Sequence, residues 1–383
     1  MAIRTNYLPE DVVTDILSRL PVNSLVRFSC VCQSWSSLLE NPGFVTTHLN
    51  HSSNQGSHLL LVNEKRSPTA CSFSWTSNEL LDVSVKKVVE IAYIVGSCKG
   101  LICISNDDSA VIIIWNPATR DYKFLPMPRL FPKYPFEPWL CQSFGFHLMD
   151  YKVVRIVSSC KTEIDGRPVP SKVEVYSATA GCWKTINATL PYYYMEQKCS
   201  VIVKGVPYWL AQEPIYGLDH EAHLNDFVLS FDMGKEVFWQ MDLPKAQGWD
   251  DMYMDKGITK KLGIYNESLA MMYFYFPYRM EEVPQLIEFW AMEDHGHADQ
   301  CWSKVLRIGP IIDSLYTVIP LGCWKNQVVM IRLPPYEPHM PPYEEELLLY
   351  DPNTEGVKEL ASYSGMAPIT CWTYVESLLP VNQ

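Results

Sequence analysis

Residues 8–44 read LPEDVVTDILSRLPVNSLVRFSCVCQSWSSLLENPGF, and their spacing decides the first part of the fold. Pro9 stands where a helix tolerates proline, in its first turn, with Glu10 and Asp11 at the positive end of the helix dipole. Val13, Ile16, Leu17 and Leu20 recur at i, i+3, i+4, i+7, which is one helical face. Pro21 stops that helix and opens a second, with Leu25, Val26, Phe28 and Val31 as its apolar set. A third short helix carries Trp35, Leu38 and Leu39 and ends before Asn41-Pro42-Gly43. Three helices this short do not easily close a core alone, so part of their apolar surface is expected to meet a partner.

Leu8-Pro9, Leu20-Pro21, Leu25, Arg27, Val31 and Trp35 stand in register with the F-box signature, which this stretch resembles. The resemblance implies docking to the Skp-type adaptor of a cullin ubiquitin ligase. Carried over, the contact residues are Leu8, Pro9, Ile16, Leu20, Pro21, Leu25, Val31, Cys32 and Trp35. The chain departs from the family at Cys32-Gln33-Ser34, where a Lys or Arg is usual. That weakens a polar contact and leaves the apolar set intact. Leu17, Val26, Phe28 and Leu38 are expected to serve internal packing, as are Cys30 and Cys32.

After Phe44 the helical period fades, and NHSSNQGSH at 50–58 reads as a linker between an N-terminal unit (1–49) and a second domain (59–383). That domain shows short strands and a repeat. One unit is a strand ending in an aromatic residue, a turn rich in Asn, Asp, Pro, Thr or Gly, and a second strand. It occurs at Ile114–Leu125, Val173–Ile186, Val228–Pro244, Ile287–Val305 and Leu347–Leu360. Aligning Trp115, Tyr176, Phe231, Phe289 and Tyr350 gives a period near that of a propeller blade. Gly100–Ile104, Gly205–Leu210, Leu262–Ile264 and Gly322–Trp324 read as inner strands. The length allows about six blades, the last assembled from Leu59–Val62 and Trp372–Val375 so that no sheet edge is left free.

Ser97-Cys98-Lys99-Gly100-Leu101, Trp115–Arg120, Tyr151–Arg155 and Tyr374–Leu378 resemble the plant F-box-associated domain, a divergent relative of the kelch propeller. Within that family the chain is most similar to the S-locus F-box group. That resemblance implies a self-incompatibility role with S-ribonucleases as targets.

Composition excludes several function classes. Twelve cysteines are scattered without paired CxxC spacing, which reads as reduced thiols in a cytoplasmic or nuclear protein. The N-terminal MAIRTNYLPED lacks an apolar signal-peptide core, and no apolar run reaches bilayer-spanning length. The sequence contains no GxSxG, no Walker loop and no dinucleotide fingerprint. His220-Glu221-Ala222-His223 has the wrong spacing for a zinc protease helix and reads as a surface loop. Glu293-Asp294-His295-Gly296-His297 reads as a hairpin turn. The twelve tryptophans recur with the repeat and read as packing between blades. No catalytic set, metal site or cofactor is expected.

The net charge of −12 is uneven, with seventeen acidic against six basic side chains over residues 205–300. This disfavours nucleic acid and favours a basic protein partner. Asp219, Glu221, Asp226, Asp250, Asp251, Asp255, Glu281 and Glu282 are the candidate target contacts, placed on loops. The connections 126–139, 213–226, 249–256, 276–284 and 333–346 are candidate binding loops. The reading is a non-catalytic substrate receptor of a ubiquitin ligase. Its rivals are an unrelated target, a scaffold without ligase function and a propeller enzyme, which would need convergent carboxylates.

Overall fold

The computed structural model describes residues 8–55, 57–64, 71–75, 93–106, 111–130, 138–159, 171–190, 194–195, 201–216, 222–244, 258–275, 285–293, 301–311, 316–333, 344–364 and 369–382. Four helices come first: α1 (Glu10–Ser18), α2 (Val22–Phe28), α3 (Gln33–Leu39) and α4 (Pro42–Gln55). Pro9 and Pro21 hold the same place in α1 and α2. Each is the N-cap, with φ of −56° and −58°, so Pro9 lies one position earlier than expected. Their carbonyls accept the first helical bonds, from Val13 N at 3.0 Å and Leu25 N at 3.2 Å.

The fourth helix corrects the linker expected at 50–58, most of which is helical. Asn41-Pro42, read as a stop, is also a start. Asn41 Oδ1 accepts Gly43 N at 2.8 Å, and Pro42 is the first helical residue, where a missing N–H costs nothing. Phe44, Val45 and His48 are buried and Leu49 is half-buried, so the apolar period is thin. The outer hydroxyls of Thr46, Thr47 and Ser53 bond to the backbone carbonyls of Pro42, Gly43 and Leu49. Leu17, Leu25, Leu39 and Phe44 form the core of the helical unit, with Phe28 and Trp35 in ring contact at its margin.

The strands that follow form six sheets. The closing sheet orders β2 (Cys71–Trp75), β1 (His58–Glu64) and β24 (Ile369–Tyr374). The next holds β3 (Tyr93–Cys98), β4 (Leu101–Ser105), β5 (Ile112–Asn116) and β6 (Asp121–Phe124). Then come β7 (Pro138–His147), β8 (Asp150–Ser159), β9 (Ser171–Ser177) and β10 (Cys182–Leu190). In the following sheet β11 (Tyr194–Met195) and β12 (Val201–Val203) both pair β13 (Val206–Tyr216), which continues to β14 (Ala222–Asp232) and β15 (Val237–Asp242). The last two sheets are β16 (Ile258–Tyr265), β17 (Ser268–Tyr275), β18 (Gln285–Glu293) and β19 (Cys301–Ile311), then β20 (Thr317–Trp324), β21 (Gln327–Leu333), β22 (Glu344–Asp351) and β23 (Gly356–Ser364).

The first strands β3, β7, β12, β16, β20 and β24 are neighbours in turn and close a ring. The first and last strands of the ring meet in the closing sheet, where Leu60 faces Trp372. The count of about six blades needs correction. Five sheets have four or more strands, and the closing one has three among the described residues. Dividing length by repeat period treats connections as if they were strands.

Trp115, Tyr176, Phe231, Phe289 and Tyr350 all lie on the third strand of their sheets. The next residue often builds the turn. Asn116 Oδ1 accepts Ala118 N, Asp232 Oδ1 accepts Gly234 N and Lys235 N, and Asp351 Oδ1 accepts Asn353 N. Each of these turns then reverses through a left-handed residue: Arg120, Glu236 or Glu355. Side-chain acceptors two residues before a backbone N–H favour such turns. The half-units read as inner strands divide: Leu101 and Val206 open second strands, whereas Leu262 and Gly322 lie on first strands.

Second and third strands are covered by sheets on both sides. β4 and β5 are therefore buried at every position, while β6, on the rim, is largely exposed. Trp115, Trp183 and Trp209 pack inside, but Trp239 stands exposed on the rim strand β15.

Candidate functional site

The helical unit presents an apolar surface that its own core does not use. Leu8, Val12, Ile16, Val26 and Val31 are exposed, Leu8 and Val31 by about three-fifths. Pro9, Pro21, Cys30 and Cys32 are exposed as well. Leu20 and Trp35 are half-buried against the core. Leu25 is the departure: it is fully buried and holds the helices together, because its position on α2 points at Leu17, Leu39 and Phe44. Val26 departs the other way, outward, although internal packing was expected; one residue along a helix is enough to change face. Cys30 and Cys32 likewise lie outside the packing expected of them. The Ser34 hydroxyl, 3.1 Å from the Cys32 thiol, and the Trp35 backbone hold that thiol below its usual range.

His48 ties α4 to the end of α1. Its Nε2–H donates to Leu20 O at 2.9 Å, and burial holds the imidazole below its usual range. Val45 and Leu49 of the same helix face the core between the β3 and β7 sheets, so α4 seats the helical unit on the ring.

Strand alternation fixes which face this is. The first turns of five sheets, at Lys99-Gly100, Leu148-Met149, Lys204-Gly205, Asn266-Glu267 and Lys325-Asn326, are two residues long and mostly left-handed. The third turns, at 117–120, 178–181, 233–236 and 352–355, lie at the same strand ends. The helices rest on this face through Val45 and Leu49 of α4, and just past α4 Ser57 O accepts Trp324 Nε1–H at 2.8 Å. The connections leaving the opposite strand ends include 125–137, 160–170, 243–257, 276–284 and 334–343.

The 243–257 connection is held at its base by Tyr273 Oη–H, which donates to Pro244 O at 2.7 Å, and the 125–137 connection more extensively. Pro126 O accepts Trp183 Nε1–H at 2.7 Å, and Glu174 Oε2 accepts Arg129 N and Leu130 N at 2.9 and 3.2 Å. Arg155 donates to Leu130 O at 3.0 Å and pairs with Glu174; both side chains are fully buried. A buried ion pair thus anchors the proline-rich connection.

Of the eight acidic candidates, only Asp226 is described, and it is not a loop residue. It lies on β14, accepts Gln212 Nε2–H at 2.7 Å and pairs with Lys260. Cross-strand pairing takes its charge out of any loop patch. Asp219, Glu221, Asp250, Asp251, Asp255, Glu281 and Glu282 lie outside the described residues. His223, read as a loop residue, is on β14 opposite Ile215, because the strand already begins at Ala222. Among the described residues, no group of three or more His, Cys, Asp or Glu is placed to hold a metal ion. No described helix is long and apolar enough to cross a membrane.

Sequence reading missed Val12 and α4. A Pro directly after an Asn was the available signal for the helix. It matched Tyr374–Leu378 to a family motif but gave no role to the buried, alternating Ser377, Leu379 and Val381.

Comparison with known proteins agrees with this architecture. The model of the F-box domain matches residues 6–47, and that of the F-box associated beta propeller domain matches residues 70–381. An F-box only protein of Arabidopsis thaliana is 28% identical over 281 residues, 69% of each chain. An F-box protein of the same plant is 26% identical over 347 residues, 83% of this chain and 75% of the other. An F-box/kelch-repeat protein, also from Arabidopsis thaliana, is 25% identical over 276 residues, 70% and 67% of the two chains. The chain therefore belongs to the F-box proteins that carry an F-box associated beta propeller domain.

Proposed function

We propose that this chain is a non-catalytic substrate receptor of a cullin ubiquitin ligase. F-box domains bind Skp adaptors in SCF complexes. The observation that carries the reading here is the exposed apolar set of the helical unit, Leu8, Val12, Ile16, Val26 and Val31, left over after Leu17, Leu25, Leu39 and Phe44 have closed the core. Pro9, Pro21 and Cys32 extend that set, and Leu20 and Trp35 support it from the margin. The target then meets the opposite face of the ring, where the long connections leave. Docking at one end and capture at the other raises the concentration of target lysines near the conjugating enzyme.

The test uses exposed residues, so the fold survives it. Ile16→Asp with Val31→Asp should weaken adaptor binding by about 2–4 kcal/mol, the range of interface hot spots. Isothermal titration against the purified adaptor measures it. Wild-type affinity in a folded double variant rejects the docking assignment.

The S-locus grouping, with S-ribonuclease as target, is a finer proposal. It is supported by the motif likeness and by the acidic balance of residues 205–300, to which Asp226 contributes no free charge. Neutralising Asp219, Glu221, Asp250 and Asp251 should slow capture of a basic S-ribonuclease several-fold at low salt and little near roughly 0.5 M salt. An unchanged rate at low salt removes its physical support.

A further inference from the structure

The chain does not end at its closing strand. After Tyr374 the residues Val375 to Asn382 turn back across the face that carries the helices. Their contacts divide between the two halves of the molecule. Glu376 Oε2 accepts Val22 N, at the start of α2, at 3.3 Å. Leu378 packs against both the core of the helical unit and the core between the first two full sheets. Leu379 and Val381 are buried in the latter core with Val45 and Tyr151. Asn116 Nδ2 donates to two carbonyls of the segment, Ser377 O and Leu379 O, both at 2.9 Å. Tyr151 Oη–H donates to Val381 O at 2.7 Å.

The fit is close. A Cβ at Gly100, whose φ is +81°, would lie 2.2 Å from Ser377 Cβ and 2.7 Å from Val375 O. Asn116 therefore has two jobs. Its Oδ1 holds the β5–β6 turn, and its amide nitrogen holds the segment. An aspartate or serine, as at the equivalent positions 232 and 177, could cap the turn but could not supply two amide hydrogens to carbonyl acceptors.

We propose that Val375–Asn382 is a strap that sets the orientation of the helical unit on the propeller, with Asn116, Tyr151 and Glu376 as its positioning residues. The proposal rests on the receptor reading above, in which that orientation fixes where a captured target lies relative to the docked adaptor. Residues more than 350 positions apart in sequence, Val22 and Glu376, are joined because the ring closes on the chain's own C-terminal strand. Without the strap, the helical unit keeps its seat through Val45 and Leu49 but loses the Glu376–Val22 hydrogen bond and the Leu378 contact that resist rotation.

The test is a distance measurement on the full chain. Nitroxides attached by non-cysteine chemistry at the exposed positions Asp11 and Lys358 report the distance by double electron–electron resonance. The wild type should give one narrow distribution. Asn116→Asp with Tyr151→Phe keeps the turn cap and the ring but removes three donated hydrogen bonds, and should broaden it. Adaptor affinity should stay within about twofold, while the set of lysines ubiquitylated in a reconstituted ligase shifts. A folded double variant with the wild-type distribution overturns the proposal. If that variant does not fold, Glu376→Ala decides, since it removes the acceptor of Val22 N and leaves Asn116 and Tyr151 in place: broadening supports the strap, and an unchanged peak rejects it. A wild-type chain that fails to bind the adaptor would defeat the receptor reading instead, and the distance measurement would still stand.

Discussion

At the face that carries the helices, nearly all the turns are two to four residues long, the 294–300 connection being the longer exception, and side chains or left-handed residues dictate the shape of several: Asn116 and Arg120, Asp232 and Glu236, Asp351 and Glu355. At the opposite face the chain leaves the strands for longer connections; the base of 125–137 is held by a buried Arg155–Glu174 pair and that of 243–257 by Tyr273 Oη–H on Pro244 O, not by turn chemistry. The first face is a repeated local solution, so it serves as a platform on which helices and strap can be seated. The second, among the described residues, is anchored where it meets the sheets. Each connection can therefore differ without disturbing the repeat, which suits a surface that must discriminate one target from another.

Three changes test this contrast. The largest effect should come from the anchor of the long-connection face. Arg155→Ala leaves the Glu174 carboxylate buried without its charge partner and frees Leu130 O, and should cost about 3–5 kcal/mol in denaturant unfolding. A loss below about 1 kcal/mol would show that the connection's base is held by packing alone.

A smaller effect is expected at the platform. Asp232→Ala removes the acceptor of two backbone N–H groups and should cost about 1–2 kcal/mol. Burial would raise the Asp232 carboxyl, but the Lys235 and Gly234 N–H groups outweigh it and hold the group below its usual range. A carboxyl lowered by folding contributes stability above its unfolded value that is lost as pH falls through the folded one. The wild-type advantage over Asp232→Asn should therefore be full near neutrality and shrink between about pH 5 and 2. A constant advantage across that window would mean that the charge contributes nothing.

The smallest effect belongs to the joint. Burial lowers the His48 imidazole below its usual range, so the unfolded chain binds its proton more readily than the folded one. Stability tied to His48 is present above its unfolded value, about 6.5, and is lost as pH falls below it. Melting temperatures of the wild type and His48→Gln should converge from about pH 7.5 to 5.5. Parallel curves would remove His48 from the pH response.

Adjacency along the chain carried a good part of this molecule. Leu8-Pro9 and Leu20-Pro21 start two helices because proline tolerates a helix start and nothing further in, a rule that needs no tertiary context. The aromatic period found the third strand of all five full sheets, since each repeat must present a large side chain to the next sheet. The pairing of Leu59–Val62 with the C-terminal strand was also legible, as an unpaired edge would otherwise remain.

Other features depended on which partners three dimensions supplied. Leu25 and Val26 are adjacent and both apolar, yet one is core and the other surface, because only the packed helices say which direction is inward. Asp226 belongs to a conspicuously acidic stretch, but Lys260 of the neighbouring sheet pairs with its charge and Gln212 hydrogen-bonds it. The thin apolar pattern of α4 could not reveal a helix that packs on two bodies at once. Asn116, Tyr151 and Val22 contain no hint that Val375–Asn382 would lie across them, since periodicity reports neighbours along the chain and ring closure joins residues that share none.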